Sequence, residues 1–357
     1  MSARAHRVVV IRGDGIGPEL VDSALAVLDA VERHSGGFHL ELEFHEGGAA
    51  QYQRVGQALT PDSLDACRKA DAILKGPVGL PWVQRPDGTE AGLLGGILRN
   101  GLDLYANVRP IKLFPGIPAP IKREPGQVDY VIVRENTEGL YLSRGLGVGN
   151  DNAVADVMLM TRPGVERIAR FAFDLARTRN GAPKDGVRRV TCVDKSNVLR
   201  SMAFFRRVYD EVGERYPDVQ RDYLYSDACA QALVMEPERF DVLVMENFLG
   251  DLLSDLGGGT VGGLGLCPSG NYGDRIAYFE PIHGSAPTLA GKDRASPLSQ
   301  IGCLAMLLDK VGEAKAARQV ETAIWRALES GALKMGADGC PVGGTRAATQ
   351  AVIEHLG

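Results

Sequence analysis

Short β-branched runs alternate with helix-like segments from the first residues onward, and this alternation constrains the fold more than any other feature of the chain. Arg7 to Ile11 (RVVVI) reads as a buried strand, and Pro18 to Val31 as a helix with proline near its first turn. Phe38 to Phe44 alternates as a strand does, Pro61 to Lys69 reads as helix, and Asp71 to Leu74 as strand. Asp129 to Val133, Val190 to Val193 and Phe240 to Met245 add β-rich runs, with helices such as Gly164 to Arg179 between them. Pro297 to Lys310 and Val311 to Ser330 read as helices, the first strongly apolar. The pattern predicts an α/β architecture with a largely parallel sheet. Glycine-rich punctuation falls at Gly257 to Gly265 and at Gly343-Gly344. No repeat or long linker separates two self-contained halves, which makes a discontinuous domain plausible.

A length of 357 residues predicts two domains. With 40 Lys+Arg against 45 Asp+Glu and a formal charge of −5, no basic stripe stands out to displace phosphate counterions, and a nucleic-acid partner is not expected. The six cysteines (Cys67, Cys192, Cys229, Cys267, Cys303, Cys340) show no metal-ligand spacing and read as small buried hydrophobes in a reducing compartment. The start MSARAHRVVVI is too short and polar for a secretory signal, and no apolar run approaches the roughly 18–20 residues of a membrane span. The expectation is a cytoplasmic protein with no membrane partner.

GDGIGPE, Gly13 to Glu19, follows one predicted strand and opens a helix, which invites a dinucleotide-binding reading. That fingerprint requires G-x-G-x-x-G, but here the glycines run Gly13, Gly15, Gly17 with Pro18 next. The spacing fails. What remains is a tight turn feeding a helix N-terminus near a ligand.

The strongest chemical signal is MENFLGDLLSD, Met245 to Asp255. Asp251 and Asp255 are four apart, so on a helix both carboxylates project from one face. Leu249, Leu252, Leu253 and Leu256 bring that helix close to the core, where two like charges repel unless a cation lies between them. Oxygen ligands favour Mg²⁺ or Mn²⁺ over zinc, and Asp227 in SDACAQALV offers a third acid.

At this point the chain resembles the β-decarboxylating dehydrogenases of 3-substituted malates, the isocitrate/isopropylmalate dehydrogenase family. The matching strings, in the family's order, are GDGIGPE, LRNGLDLYANVRP (98–110), VRENTEGLY (133–141), DKSNVLR (194–200), SDACAQALV (226–234), NFLGDLLSD (247–255) and EPIHGSAP (280–287). The resemblance implies a two-domain α/β fold with a non-Rossmann cofactor site and a discontinuous first domain. Residues 1–104 and 259–357 would form the large cofactor-binding domain, and 105–258 the smaller one with the dimer interface and the metal and substrate residues. It also implies a homodimer with shared active sites, Lys195 and Asp227 being supplied by the neighbouring subunit.

The implied reaction is oxidation of a 2-hydroxy acid followed by loss of its 3-carboxylate as CO₂. Arg99, Arg109 and Arg134 match the family's substrate arginines, whose planar guanidinium groups bind carboxylates bidentately. Asp227, Asp251 and Asp255 would hold the metal, which polarises the nascent carbonyl. Lys195 would take the hydroxyl proton, its basicity tuned by burial and a neighbouring cation, and Tyr141 would protonate the enol carbon. Asn197 resembles the residue beside the nicotinamide. Glu280, His283, Gly284, Ser285 and Ala286 match the cofactor loop.

The chain departs from the family pattern in two places. Thr288-Leu289 follow GSAP where NAD-dependent members commonly place aspartate and NADP-using isocitrate dehydrogenases place Lys-Tyr, and Ser296 replaces an asparagine before Pro297. NAD is favoured because no basic pair awaits a 2′-phosphate, although Lys292 and Arg294 lie close by. Glu90, Leu93 and Leu94 resemble the isopropylmalate substituent pocket, yet Gly95-Gly96 intervene before Arg99 and make that pocket roomier or differently shaped. RENTEGLY instead resembles isocitrate, homoisocitrate and tartrate enzymes. The reading is therefore an oxidative decarboxylase of a 3-isopropylmalate-like substrate, with isocitrate, homoisocitrate, tartrate, D-malate or an unusual acidic substituent as alternatives. A non-catalytic regulatory subunit is disfavoured because Lys195, Tyr141 and all three aspartates are present. With six histidines and none paired near an acid cluster, a histidine-rich metal site is disfavoured as well.

Overall fold

The computed structural model describes residues 4–86, 88–143, 147–150 and 152–357. The chain divides into two compact units. One comprises Met1–Asp103, Phe114–Pro118 and Gly262–Gly357, and the other Leu104–Leu113 and Ala119–Val261.

The first unit opens with β1 (Arg4–Ile11), α1 (Gly17–Ser35), β2 (Phe38–His45), α2 (Ala49–Val55), α3 (Pro61–Lys69), β3 (Ala72–Lys75) and α4 (Gly95–Gly101). The second unit carries β4 (Ala106–Lys112), β5 (Asp129–Glu135), β6 (Val148–Asn150), β7 (Ala153–Ala155), α5 (Arg162–Thr178), β8 (Arg189–Asp194) and α6 (Arg200–Gly213). It ends with β9 (Gln220–Tyr225), α7 (Ser226–Met235), β10 (Val242–Met245) and α8 (Asn247–Thr260). The chain then returns to the first unit through β11 (Pro268–Tyr272), β12 (Ala277–Pro281), α9 (Leu298–Lys310), α10 (Ala314–Glu329) and α11 (Gly344–Glu354).

In the first unit the strand order is β2-β1-β3-β12-β11, parallel except for β11. A parallel strand is covered on both faces, which is why β1 carries the uninterrupted run Val8 to Ile11, at most 1% exposed. Helix α9 packs against β3, β11 and β12, and α1 against α9 and α11. The apolar stripe of α1, Leu20, Ala24, Val27, Leu28 and Val31, has the spacing of a single helical face.

In the second unit the order is β4-β5-β10-β8-β9, with only β4 antiparallel. Four parallel strands thus end side by side at Glu135, Met245, Asp194 and Tyr225. Ligands of open α/β sheets bind outside the carboxyl ends of such strands. Helices α5 and α6 pack on each other, and α7 packs on α8.

Two local expectations are corrected. Gly257 to Gly259 do not interrupt structure but belong to α8. A Cβ at Gly257 would lie 2.6 Å from the Tyr130 hydroxyl, so close packing there offsets the helix cost of glycine, about 1 kcal/mol, whereas a Cβ at Gly259 would meet nothing within 4 Å. Cys340 is half-exposed, whereas the other five cysteines are buried.

The glycines of GDGIGPE serve backbone-to-backbone packing. A Cβ at Gly13 would meet the Pro77 carbonyl at 2.2 Å, at Gly15 the Ser285 carbonyl at 2.1 Å, and at Gly17 the Arg12 carbonyl at 2.3 Å. Gly15 also has φ +58°, and the next N–H, that of Ile16, donates to Ser285 O at 2.8 Å. Gly15→Ala should therefore lower stability by about 1–3 kcal/mol from backbone strain alone, more with the clash, as measured by urea denaturation.

Candidate functional site

In the second unit the strand-end chemistry starts from β5. Arg134, its penultimate residue, is 1% exposed. Its Nε and Nη2 donate to Asn247 Oδ1 at 3.1 and 2.7 Å, and its Nη1 to Asp251 Oδ1 at 2.5 Å. Arg109 on β4 reaches the same helix, donating to Ser254 Oγ at 2.7 Å and Asp255 Oδ1 at 3.3 Å, with Asp251 at 3.6 Å. Asn107 Oδ1 accepts from the Arg109 Nε at 2.7 Å. Tyr141, in the 3₁₀ turn Leu140–Ser143, donates to Asp251 Oδ2 at 2.9 Å, and Arg134 lies 5.6 Å from its ring centroid.

These contacts follow from α8. Residues 247, 251, 254 and 255 occupy one face of the helix, so Asn247, Asp251, Ser254 and Asp255 all meet the two arginines. Glu246 caps that helix, accepting the Phe248 and Leu249 N–H groups at 2.9 and 2.7 Å. Burial raises the Glu246 carboxyl above its ordinary value, and the two N–H donors offset part of that rise. Burial likewise raises the half-exposed Asp255; Arg109 opposes the shift and the Asp251 charge adds to it. Gly250 is required because a Cβ there would come within 2.5 Å of the Arg134 side chain.

Lys195 and Asp227 lie at the ends of the neighbouring strands β8 and β9. Lys195 Nζ donates to Asp227 Oδ1 at 2.7 Å, and this bond lowers the Asp227 carboxyl. Asp227 is 70% exposed, and Asn197 is exposed. Among the described residues no group of three or more His, Cys, Asp or Glu is gathered tightly enough to hold a metal. One chain brings Asp251 and Asp255 together but keeps Asp227 with Lys195.

In the first unit, Arg99 on α4 donates to the Tyr278 hydroxyl at 3.1 Å and to Glu280 Oε1 at 3.5 Å. Glu280 also pairs with Lys75 Nζ at 2.6 Å and accepts from Tyr278 at 2.9 Å and Asn271 at 3.5 Å. Burial pushes the Glu280 carboxyl up, but the Lys75 ammonium and Arg99 guanidinium outweigh it and hold it down at about 2. Gly95 stands one turn before Arg99, and a Cβ there would lie 3.7 Å from the guanidinium carbon. That face of Arg99 therefore carries no neighbouring side chain from position 95. Gly96 follows in the same first turn, Leu93 is half-buried, Glu90 is exposed, and Leu94 is fully buried.

The loop after β12 rests on the glycine turn. His283 Nε2 lies 3.0 Å from Ser299 Oγ, and burial lowers its pKa. The Ser285 hydroxyl donates to Gly79 O and that of Ser296 to Gly265 O at 3.0 Å, so both hydroxyls are engaged within the fold. Leu289 and Ala286 pack on Ile16, Leu20 and Ala295. Leu289 anchors the loop to α1, leaving Gly284 and Thr288 as its exposed positions.

Some site residues escaped the sequence reading. Asn247 and Ser254 were detectable from their spacing with Asp251. Lys75, a lone cation ending the buried strand AILK, carries no local signal. Asp14 is the third case. Strand order 2-1-3 creates a switch point between β1 and β3, where doubly wound folds bind phosphate. Here Asp14, 4% exposed, fills it, accepting the N–H groups of Ala49, Ala50 and Gly79 at 2.7, 3.0 and 2.8 Å.

Two buried arginines on adjacent strands, meeting a carboxylate pair on one helix face and a tyrosine, are the donor set of an enzyme for small anionic substrates. The model of the isocitrate/isopropylmalate dehydrogenase family matches residues 7–356. The chain is 39% identical over 370 residues to the 3-isopropylmalate dehydrogenase of Aquifex aeolicus, covering 99% of this chain and 98% of that one. It is 43% identical over 332 residues to the 3-isopropylmalate dehydrogenase of Leifsonia xyli, covering 90% of each. A crystal structure of isocitrate dehydrogenase from Methylococcus capsulatus superposes with a TM-score of 0.86 at 37% identity, covering 98% of this chain and 99% of that one.

The chain belongs to the isocitrate/isopropylmalate dehydrogenase family. It is a β-decarboxylating dehydrogenase that oxidatively decarboxylates a 3-substituted malate, a small hydroxy acid. No helix among the described residues is long and apolar enough to cross a membrane.

Glu280 makes the stability of the first unit acid-sensitive in a defined window. Its folded value is depressed, so its contribution is complete above the ordinary 4.5 and is lost as pH falls toward about 2. Glu280→Gln should flatten the pH dependence of urea stability across that interval, whereas Lys75→Met, which leaves the carboxylate buried and short of its nearest cation, should cost about 3–5 kcal/mol.

Proposed function

We propose that this chain is the catalytic subunit of a homodimeric, NAD- and Mg²⁺- or Mn²⁺-dependent dehydrogenase of a 3-isopropylmalate-like substrate. The observation that carries the reading is the convergence of Arg109, Arg134 and Tyr141 on Asp251 and Asp255. Two like charges on one helical face, drawn upon by two guanidinium groups, form an oxygen donor set that suits a hard divalent cation. Asp251 and Asp255, with Asp227 of the partner subunit, would hold it, and it would supply Lewis-acid polarisation of the substrate oxygen.

Arg99, Arg109 and Arg134 bind and orient the substrate carboxylates. Lys195 accepts the hydroxyl proton, and Tyr141 delivers a proton to the enol carbon after CO₂ departs. Separation of the Lys195–Asp227 pair from Asp251 within one chain supports a site completed by a second copy. Surface composition supports it too. Val234 and Met235 on α7 are 39% and 65% exposed, Leu252 on α8 is 53%, and Val148 and Val154 on the β6–β7 ribbon are 73% and 75%. Apolar surface on this scale suits a self-associating face. The first unit then serves as the cofactor-binding domain, with His283 to Thr288 along the adenosine, and Asn197, a residue of the second unit, lies near the nicotinamide.

NAD is favoured over NADP. Arg294 is engaged with Asp338 at 2.8 Å, and Thr288 brings no cation to a 2′-phosphate. The substituent follows the curated relatives, named for 3-isopropylmalate. RENTEGLY and the likeness to an isocitrate dehydrogenase support a carboxylate-bearing substituent as a second reading.

The direct test is initial-rate reduction of NAD and NADP with Mn²⁺ across malates bearing isopropyl, carboxymethyl, carboxyethyl, hydroxyl or no 3-substituent. Preferred turnover of 3-isopropylmalate with NAD is expected. No turnover on any member would overturn the reading. Asp251→Asn should abolish Mn²⁺-dependent turnover while circular dichroism stays unchanged. Tyr141→Phe should impair the overall reaction more than hydride transfer to a pre-formed keto acid, and equal losses would remove its role as proton donor.

A further inference from the structure

A cavity of about 700 Å³ opens in the first unit at the carboxyl ends of β1 and β2, and it is lined by none of the residues that the proposed reaction uses. Ile11 and His45 are register partners at the ends of these parallel strands, so the segments that follow them leave from one edge. Arg12 and Asp14 come from the turn after β1, Phe44 and Glu46 from the end of β2, and Gln51 and Arg54 from α2.

The β1–α1–β2 crossover is the half-fold on which doubly wound sheets bind mononucleotides. Phosphate sits at the turn after the first strand, and an acid beyond the second takes ribose hydroxyls. Here the phosphate position is closed, because the Asp14 carboxylate holds the N–H groups of Ala49, Ala50 and Gly79. A phosphate brought there would meet a like charge and find its donors taken. The rest of the crevice stays open. Glu46 stands directly after β2, exposed and bonded to Arg54, and its carboxylate keeps acceptor capacity for hydroxyl groups.

The lining suits a flat, uncharged ligand. Phe44 is 52% exposed although it belongs to the alternating strand β2, and the Arg12 guanidinium lies 5.2 Å from its ring centroid. Such a pair is a stacking platform of the kind that takes nucleobases. Gln51 is only 7% exposed. Its Oε1 accepts from Arg54 at 2.5 Å, which fixes the amide, and its Nε2 donates to none of the described residues. A donor so placed is unfavourable until an acceptor reaches it. Charges around the cavity are already matched, Arg12 by Asp22 at 2.7 Å and Arg54 by Glu46, so the lining does not call for an anion. The volume falls within the range of small-ligand sites, about 300–1,000 Å³.

We infer that this cavity binds an unphosphorylated nucleoside. Its base stacks on Phe44 and Arg12 and accepts from the Gln51 amide, and its ribose hydroxyls donate to Glu46.

Isothermal titration of the full-length protein with adenosine, run with and without saturating NAD, tests this. One saturable adenosine site per chain is expected, and it persists at saturating NAD. Phe44→Ala should weaken it about tenfold or more while leaving turnover of the malate substrate unchanged. Gln51→Leu, which removes the donor at similar volume, should weaken it as well. Val55→Ala, which trims an exposed apolar side chain of α2 outside the cavity, should bind as the unaltered protein does. AMP should bind at least tenfold more weakly than adenosine at saturating NAD. Loss of adenosine binding at saturating NAD, equal affinity in Phe44→Ala, or AMP binding as tightly as adenosine overturns the inference. Phe44-dependent adenosine binding in a protein that takes up no NAD would uphold the cavity and count against the cofactor reading alone.

Discussion

The second unit depends on a guanidinium buried at the end of a strand. Arg134 is 1% exposed, and an unpaired charge in such a place would cost several kcal/mol. Asn247 and Asp251 satisfy it, which fixes the rotation of α8 relative to β5. Once that rotation is set, Asp255 and Ser254 face Arg109, and Tyr141 closes on Asp251. Gly250 and Gly257 are consequences of the same packing, since each lies where α8 comes too close to a neighbouring side chain for a Cβ to fit.

The first unit has a parallel device built around the opposite charge. Glu280 is the buried anion, and Lys75, Arg99 and Tyr278 satisfy it from three different elements. A carboxylate held down at about 2 is ionised throughout the physiological range and so keeps its charge toward Lys75 and Arg99. A second internal carboxylate, Asp14, takes the switch-point amides that a ligand phosphate occupies in other doubly wound folds. The switch-point amides of Ala49, Ala50 and Gly79 are thus taken by the chain itself, in keeping with the missing dinucleotide fingerprint.

The groups proposed for proton transfer and metal binding lie along one row of strand ends without all meeting. Strands are about 4.8 Å apart, and β8 and β9 lie two and three places from β5, so Lys195 and Asp227 belong to a different part of that edge from Arg134. The proposed homodimer would complete such a site, and the exposed apolar residues of α7, α8 and the β6–β7 ribbon would be the surface it buries.

Local order in the sequence determined the elements. Predicted and observed bounds coincide for α3 and differ by only a few residues for most other elements, because periodicity and caps are local properties. The carboxylate pair was equally legible, since a four-residue separation sets two side chains on one helical face whatever surrounds the helix. The order of strands was not, nor was the role of Gly257, which is decided by how near Tyr130 approaches. Lys75 illustrates the limit most sharply. It ends an ordinary buried strand and acquires meaning only from Glu280, more than two hundred residues away. Sequence alone determined which chemistry the chain carries, because composition and spacing are written along it; tertiary structure decided which charges are buried together, because desolvation and pairing depend on what the fold brings into contact.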